Sequence, residues 1–490
     1  MHQVPGLDAL FLHLETPEMP MHVGALHLLE LPPGFRGRWI NALRKHLQAR
    51  LPHAPALRRT LAELPLNLVN PVWREVQPKL EQHVVAEALD SGATLADLHE
   101  AVARLHMQLL PRDRPLWKFH VFEDLAPGDN GQRRVALYTQ VHHAAVDGQA
   151  AVALAQVLLD LSPEPRELPV GGTRRSRKKD QPPLGTADQW RLAFSEQARQ
   201  FLDLAKALPG GASLLTKVAG QAASDQLRGA ARSLLARFKG EAKAKKTEAS
   251  ALALAPRTRF NVAVSSTRSF VSLSLPLPAL QAARKALQAS LNDAVLYLCA
   301  TALREYLKDA GELPKKPLMA AVPVSMRTAG DASPNNQVTM SSVSLGTHLA
   351  DPKKRFAHVL ESAAQMKAGL STLKELMPTD FPSIGLPWLL PAAARAWGGV
   401  AERVPPLVNV VISNVPGAPV PLYLAGARML TNAPASIVVH GIALNITVQT
   451  YEKHLELGLI ACGEAVPDID LLAAHLRHAY DAFIELAAED

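Results

Sequence analysis

A chain of 490 residues with 48% hydrophobic side chains and a mean hydropathy of +0.02 holds enough apolar material for two or more buried cores. Two cysteines, Cys299 and Cys462, exclude a disulfide scaffold, and no apolar run reaches the roughly 20 residues of a membrane span. The net charge of +7 suits an anionic partner such as a membrane surface or a phosphate-bearing substrate, while the lack of zinc-finger spacing or an aromatic RNA motif argues against nucleic acid.

The opening stretch has no basic n-region, and Asp8 and Glu15 interrupt its apolar residues, which argues against a signal peptide. Spacing predicts a short amphipathic helix over Leu7 to Leu14, a break at Thr16-Pro17, and a strand over Met21 to Leu29. Trp39 to Leu51 reads as a helix, Trp73 to Val85 as extended, and Thr94 to Leu110 as a helix. The turn around Pro115-Leu116-Trp117 leads to a strand over Lys118 to Phe122. Its hairpin partner, across a polar turn, is Arg133 to Val141.

From Ser162 the composition shifts to Pro and Gly, then to the basic run Arg174 to Lys179. Residues 186–246 are Ala-rich, basic and helical in pattern. Leu227, Leu234, Leu235 and Phe238 recur on one face among Arg228, Arg232, Arg237 and Lys239. Contact with a lipid surface and a solvated helix packed on its neighbours fit this pattern about equally well. Three segments result: residues 1–165, a basic helical linker over 166–255, and residues 256–490.

The last segment continues the alternation of elements. Strands are expected over Arg268 to Leu275, Leu318 to Val324, Val338 to Leu345, Val408 to Ile412, Ile437 to Val439, Ala443 to Thr450 and His454 to Ala461. Helices are expected over Leu277 to Ala289, onward from Ser290, and over Asp468 to Leu486, with Asn292 or Asp293 as an N-cap. Cys299 lies in an apolar helical pattern and Cys462 follows a strand-like run, so both read as core. The stretch Ile384 to Val400 is apolar and broken by prolines, which suits a pocket wall or a lipid-facing loop.

The chemistry concentrates at His142-His143-Ala144-Ala145-Val146-Asp147-Gly148, an HHxxxDG pattern between a predicted strand and a predicted helix. An extended strand puts His143 on the face of Val135, Leu137, Thr139 and Val141, with His142 pointing the other way. A neutral imidazole at a strand end can serve as a general base. With no activated serine or cysteine nearby, direct attack by a substrate hydroxyl is simpler than a covalent enzyme intermediate. A lone His-His pair would read as mere hydrogen bonding. Asp147-Gly148 at this offset, capping the next helix, favours the functional reading. Adjacent strand histidines diverge and no third ligand stands at metal spacing, so no metal or cofactor is expected.

Together these stretches resemble the bacterial wax ester synthase/diacylglycerol acyltransferase family across nearly the whole chain. The resemblance rests on LDALFLHLETPEMPMHVGAL near the start, Pro115-Leu116-Trp117, the HHxxxDG motif, Asn292-Asp293, VPVSMR at 322–327, NVVISNVPG at 409–417 and ALNITVQTY at 443–451. HHxxxDG alone marks the wider CoA-dependent superfamily of chloramphenicol acetyltransferases, plant acyltransferases and peptide-synthetase condensation domains. The DFGWG box of the plant enzymes is absent, and SNVPG stands in a comparable late position.

The resemblance implies an α/β fold of two chloramphenicol-acetyltransferase-like subdomains, each a mixed sheet flanked by helices, with a tunnel at their interface. It implies acyl transfer from acyl-CoA as co-substrate to a long-chain alcohol or diacylglycerol. His143 would be the general base and His142 its support. Asp147 would orient the loop through a salt bridge to Arg327, and Asn292, Asn414 and Gly148 would contact substrate. A cytoplasmic protein held peripherally on a membrane or lipid inclusion would fit such substrates. The alternatives are a condensation-type transferase using a carrier-bound donor, and a non-catalytic coat protein of lipid inclusions. A coat has no need of a histidine pair at a buried strand end.

Overall fold

The computed structural model describes residues 2–146, 148–168, 254–325, 338–373 and 386–489, together with Gly185 and Ser383. Residues 169–184 and 186–253 of the basic linker, including Arg228, Arg232, Arg237 and Lys239, lie outside the described residues, as do Asp147 and Arg327.

The chain begins with β1 (His2–Gln3), α1 (Gly6–Leu14), β2 (His22–Glu30) and α2 (Trp39–Arg50). Next come β3 (Arg59–Ala62) and β4 (Val72–Glu75), which join β1 in a small sheet of order β1-β4-β3. The stretch expected to be extended from Trp73 to Val85 is instead β4, the single-turn helix α3 (Leu80–His83) and β5 (Val84–Glu87). Pro78 has no N–H to continue a ladder, and Leu80 and His83, three apart, both turn inward. Then follow α4 (Leu95–His106), β6 (Trp117–Phe122), β7 (Arg134–His142) and α5 (Gly148–Leu158). The β6/β7 hairpin pairs antiparallel as expected.

The second half runs β8 (Arg268–Pro276), α6 (Leu277–Ala286), α7 (Leu291–Asp309), β9 (Met319–Ser325), β10 (Val338–Ser344), α8 (Pro352–Leu373) and α9 (Leu386–Val400). It closes with β11 (Val410–Val415), β12 (Tyr423–Leu424), β13 (Ala427–Ala435), β14 (Leu444–Tyr451), β15 (His454–Cys462) and α10 (Ile469–Ala488). The cap of α7 is Ser290, not Asn292 or Asp293. Ser290 Oγ accepts from the Asp293 N–H at 3.2 Å, and the Asp293 carboxylate accepts from the Ser290 N–H at 3.0 Å, a reciprocal capping box. Asn292 sits half-buried in the first turn.

The apolar stretch ending at Val400 is helical from Leu386, not a loop. Pro387 lies in the first turn, where no intrahelical donor is needed, so Pro391 alone removes a ladder bond. Ile437 to Val439 forms only a single bridge, Val439 to Ile442. The strand there is the unexpected β13.

Two six-stranded sheets dominate, of order β12-β13-β2-β7-β6-β5 and β10-β9-β11-β14-β15-β8. Both are mixed: β5 runs parallel to β6, and β11 parallel to β9 and β14. This is the expected α/β architecture. The first sheet takes β12 and β13 from the second half of the chain, with β13 antiparallel to β2. Its outer face packs Leu29, Val135 and Leu137 on Trp39, Leu43 and Leu47 of α2. Its other face packs Leu26, Ala136 and Tyr138 on Val102 and Leu105 of α4 and on Phe270, Ile460 and Cys462 of the second sheet. The second sheet buries Ile412, Ile446 and Leu457 under α7 and α10. Cys299 and Cys462 are both buried and unlinked. Among the described residues no helix is long and apolar enough to cross a membrane.

Candidate active site

The histidine pair stands where β7 runs out. β7 is flanked by β2 and β6, with His22 opposite His142 and Trp117 opposite Val141. The His142 N–H donates to Leu116 O and the His143 N–H to Met21 O, each at 2.9 Å. The backbone of Pro115-Leu116-Trp117 and of the Met21 strand thus grips the two histidines from either side. The Ala145 N–H closes the turn onto His142 O at 2.8 Å. β7 ends at His142, so His143 leaves the strand for the turn and does not continue the Val135–Val141 face. Gly148 opens α5 as expected.

His142 is buried, and one of its ring nitrogens is committed to the fold. Its Nδ1 accepts from the Ala144 N–H at 3.1 Å, which assigns the proton to Nε2. Nε2 lies 3.2 Å from Glu15 Oε1, both side chains being buried, at an angle too oblique for a good hydrogen bond. Glu15 is tied down further: Oε1 accepts from the Met21 N–H at 3.2 Å and Oε2 from Arg112 Nη2 at 3.0 Å. Arg112 also donates to Leu12 O at 2.6 Å, which fixes the end of α1. Burial raises the Glu15 carboxyl, but His142 and then Arg112 outweigh it and hold the group down at about 2. A permanent carboxylate therefore sits beneath the histidine turn.

His143 is half-buried. Its ring stacks on Phe11 of α1, with centroids 4.0 Å apart and planes 12° from parallel. Of the pair, it is the imidazole with a face toward solvent-accessible space. Below the turn, β7 and its neighbours carry buried polar side chains. His22 Nε2 donates to His106 O at 2.8 Å, Gln140 Nε2 to Leu105 O at 2.9 Å, and His120 meets both Gln140 Oε1 and Glu87 Oε1 at 2.8 Å. Burial pushes the His22 imidazole down to about 4, so it is neutral at pH 7.

The fold thus assembles His142, His143, Glu15, Phe11, Arg112 and the Pro115–Trp117 turn. Glu15, Phe11 and Arg112 were not among the expected site residues. Asn414 lies on β11, half-buried, on the face it shares with Val410 and Ile412. No described contact joins Asn292 or Asn414 to the histidine turn. Among the described residues, no group of three His, Cys, Asp or Glu side chains could hold a metal ion.

This geometry belongs to a recognisable lineage. Residues 4–295 match the wax ester synthase/diacylglycerol acyltransferase catalytic domain, and residues 335–483 match the C-terminal domain of the same family. A Mycobacterium tuberculosis protein named as a diacylglycerol O-acyltransferase is 37% identical over 475 residues, covering 96% of this chain and 97% of its own length. A Mycobacterium bovis protein named likewise is 33% identical over 472 residues, 96% of each chain. The solved wax ester synthase/diacylglycerol acyltransferase of Marinobacter aquaeolei VT8 superposes with a TM-score of 0.66 at 28% identity, over 100% of both chains. The first condensation domain of the calcium-dependent antibiotic synthetase shares the fold, with a TM-score of 0.53 at 16% identity over 99% and 96%. The chain is an acyltransferase and belongs to the wax ester synthase/diacylglycerol acyltransferase family.

Proposed function

We propose that the protein transfers a long-chain acyl group from acyl-CoA to the hydroxyl of a long-chain alcohol or of diacylglycerol, with His143 as general base. The observation that carries this reading is the division of labour in the pair. His142 is buried, with Nδ1 taken by the Ala144 N–H and Nε2 enclosed beside the Glu15 carboxylate, whereas His143 presents a half-buried ring backed by Phe11. The acceptor oxygen attacks the thioester carbonyl carbon as His143 takes the hydroxyl proton. The C–S bond then breaks, and the same proton passes to the departing thiolate. Oxygen and sulfur exchange places on the acyl carbon without a covalent enzyme intermediate. A general base contributes typically about 10²- to 10⁴-fold, and the remainder comes from holding the reactants together and stabilising the oxyanion.

The names of the mycobacterial and Marinobacter relatives support lipid acceptors over a carrier-bound donor, since the condensation-domain likeness extends to fold alone. Substrates of this kind fit a protein peripherally attached to membrane or lipid inclusions on the cytoplasmic side. Asp147 orients the loop through Arg327 in this reading. Asp147→Asn and Arg327→Ala should then each lower activity, with a double mutant less than additive; full additivity would remove the pairing. The reaction itself is tested by incubating purified protein with labelled palmitoyl-CoA and either hexadecanol or diacylglycerol, then separating the lipids by chromatography. Failure to form ester with either acceptor would refute the reading.

A further inference from the structure

Helix α9 (Leu386–Val400) departs from the pattern of an ordinary surface helix. Its solvent side carries Trp388, Leu389, Trp397 and Val400, with Trp388 57% and Leu389 64% exposed. Arg395 is its one ionisable residue. A surface helix normally turns charge outward and its apolar stripe inward; here the outward side is the apolar one.

Both tryptophans have their polar edge already satisfied. Trp388 Nε1 donates to Leu66 O at 3.0 Å and Trp397 Nε1 to His440 O at 3.2 Å. Moving these rings into an apolar phase therefore sacrifices no hydrogen bond to water. The carbonyl that holds Trp388 belongs to a turn in which Leu66 and Asn67 adopt φ of 60° and 48°, a left-handed conformation that costs a bulky residue energy. That turn leaves the Leu66 side chain 71% exposed beside the helix. The start of α9 is pinned to the same region, since Ser383 Oγ accepts from the Asn70 N–H at 3.1 Å and Ser383 O from the Leu386 N–H at 3.0 Å. On the inner side, buried Ala394 packs in the cluster that includes Phe11, the ring stacked on His143.

We propose that α9 and the Leu66 turn form the face by which the protein seats on an anionic phospholipid surface. This rests on the lipid-acceptor reading above. The two tryptophans and the leucines supply the apolar insertion; no acidic residue lies within the helix, and Arg395 with the exposed Arg403 just beyond it outnumber the one adjoining acid, the exposed Glu402, leaving a net positive charge. A helix seated this way brings the lipid acceptor to the α1 side of the site, where Phe11 and His143 meet.

The test is co-sedimentation of the full chain with phosphatidylcholine vesicles, with and without phosphatidylglycerol, and light scattering of the free protein. The variants are Trp388→Ser/Leu389→Ser/Trp397→Ser, the single Leu389→Asp at an exposed position, and Arg228, Arg232, Arg237 and Lys239 all changed to Gln. Ester formation is measured on diacylglycerol in vesicles and on octanol dissolved in water. The triple variant and Leu389→Asp should lose vesicle binding by roughly tenfold or more and lose vesicle activity in parallel, while retaining the octanol rate. Wild-type binding should weaken without phosphatidylglycerol. The proposal is overturned if both α9 variants bind like wild type, if binding ignores lipid charge, if only the four-Gln variant detaches, or if the α9 substitutions merely split a dimer. Should wild type bind vesicles but esterify neither acceptor, the reaction assignment falls and the docking face stands.

Discussion

Changing His143 to alanine deletes a half-buried ring stacked on Phe11 and leaves the Glu15–His142 pair beneath it in place. Turnover should therefore fall by about 10²- to 10⁴-fold with little change in melting temperature. Near-wild-type ester formation by the folded variant would end the base assignment. Glu15→Gln keeps the volume and removes the charge that Arg112 and His142 face in a buried setting. It should lower activity and cost about 1–3 kcal/mol in urea unfolding at pH 7. Because the Glu15 carboxyl is held at about 2 against its ordinary 4.5, its stabilisation is complete above pH 4.5 and is lost as pH falls toward 2. The stability gap between wild type and Glu15→Gln should accordingly narrow below pH 4.5. A gap that stayed constant there would mean the carboxylate is not the source. The two histidines were legible from their motif. Glu15 was not, because 127 positions of chain separate it from His142 and only folding makes it a neighbour.

At the scale of elements, β7 was legible because an alternating run ending in a polar turn has one reading. β13 was not, since Asn432 and Pro434 interrupt it and a bulge falls between Met429 and Thr431. Pro434 is tolerated because β12 pairs only with the first residues of β13, so no second strand asks for a ladder hydrogen bond from Pro434. The same segment lies close against the second sheet: a Cβ on Gly458 of β15 would lie 1.6 Å from Pro434 O. No side chain can swing aside to relieve that contact, since the obstacle is backbone. Gly458→Ala should force β13 and β15 apart and destabilise by about 1–3 kcal/mol or more, read as a lowered urea midpoint. It should also lower activity, because β13 borders β2, which places His22, and Met21 just before it, against the histidine turn. An unchanged midpoint would show that the sheets are free to separate there.

Across the whole molecule, buried histidines and one buried acid set opposing pH trends. Burial pushes His22 and His99 down to about 4 from 6.5, so the unfolded chain binds protons at pH values where the fold cannot. Stability from these two groups is full above pH 6.5 and declines as pH falls toward 4, by up to about 3 kcal/mol each. Burial pushes Glu456 of β15 up to about 7 from 4.5. Its contribution is full below pH 4.5 and declines as pH rises through 7. Urea unfolding should show wild type losing stability below pH 6.5. Glu456→Gln, which keeps the acceptor for the 2.9 Å bond from Ser274 Oγ, should be more stable than wild type at pH 8 and near parity at pH 4.5. A variant no more stable at pH 8 than at pH 4.5, relative to wild type, would contradict the assignment.

The sequence by itself determined the mixed α/β class, the placement of most strands and helices, the histidine pair and its family, because each is a local pattern of period, turn chemistry or motif. Only the tertiary structure decided that His142 is buried beside Glu15 while His143 is half-buried against Phe11, since that difference depends on Glu15, Phe11 and Leu116 arriving from distant segments. It also decided that strands from the second half complete the first sheet and that α9 turns its apolar side outward. Strand partnership and helix orientation are settled by which surfaces remain unburied after the rest of the chain has packed, and no local window of sequence contains that information.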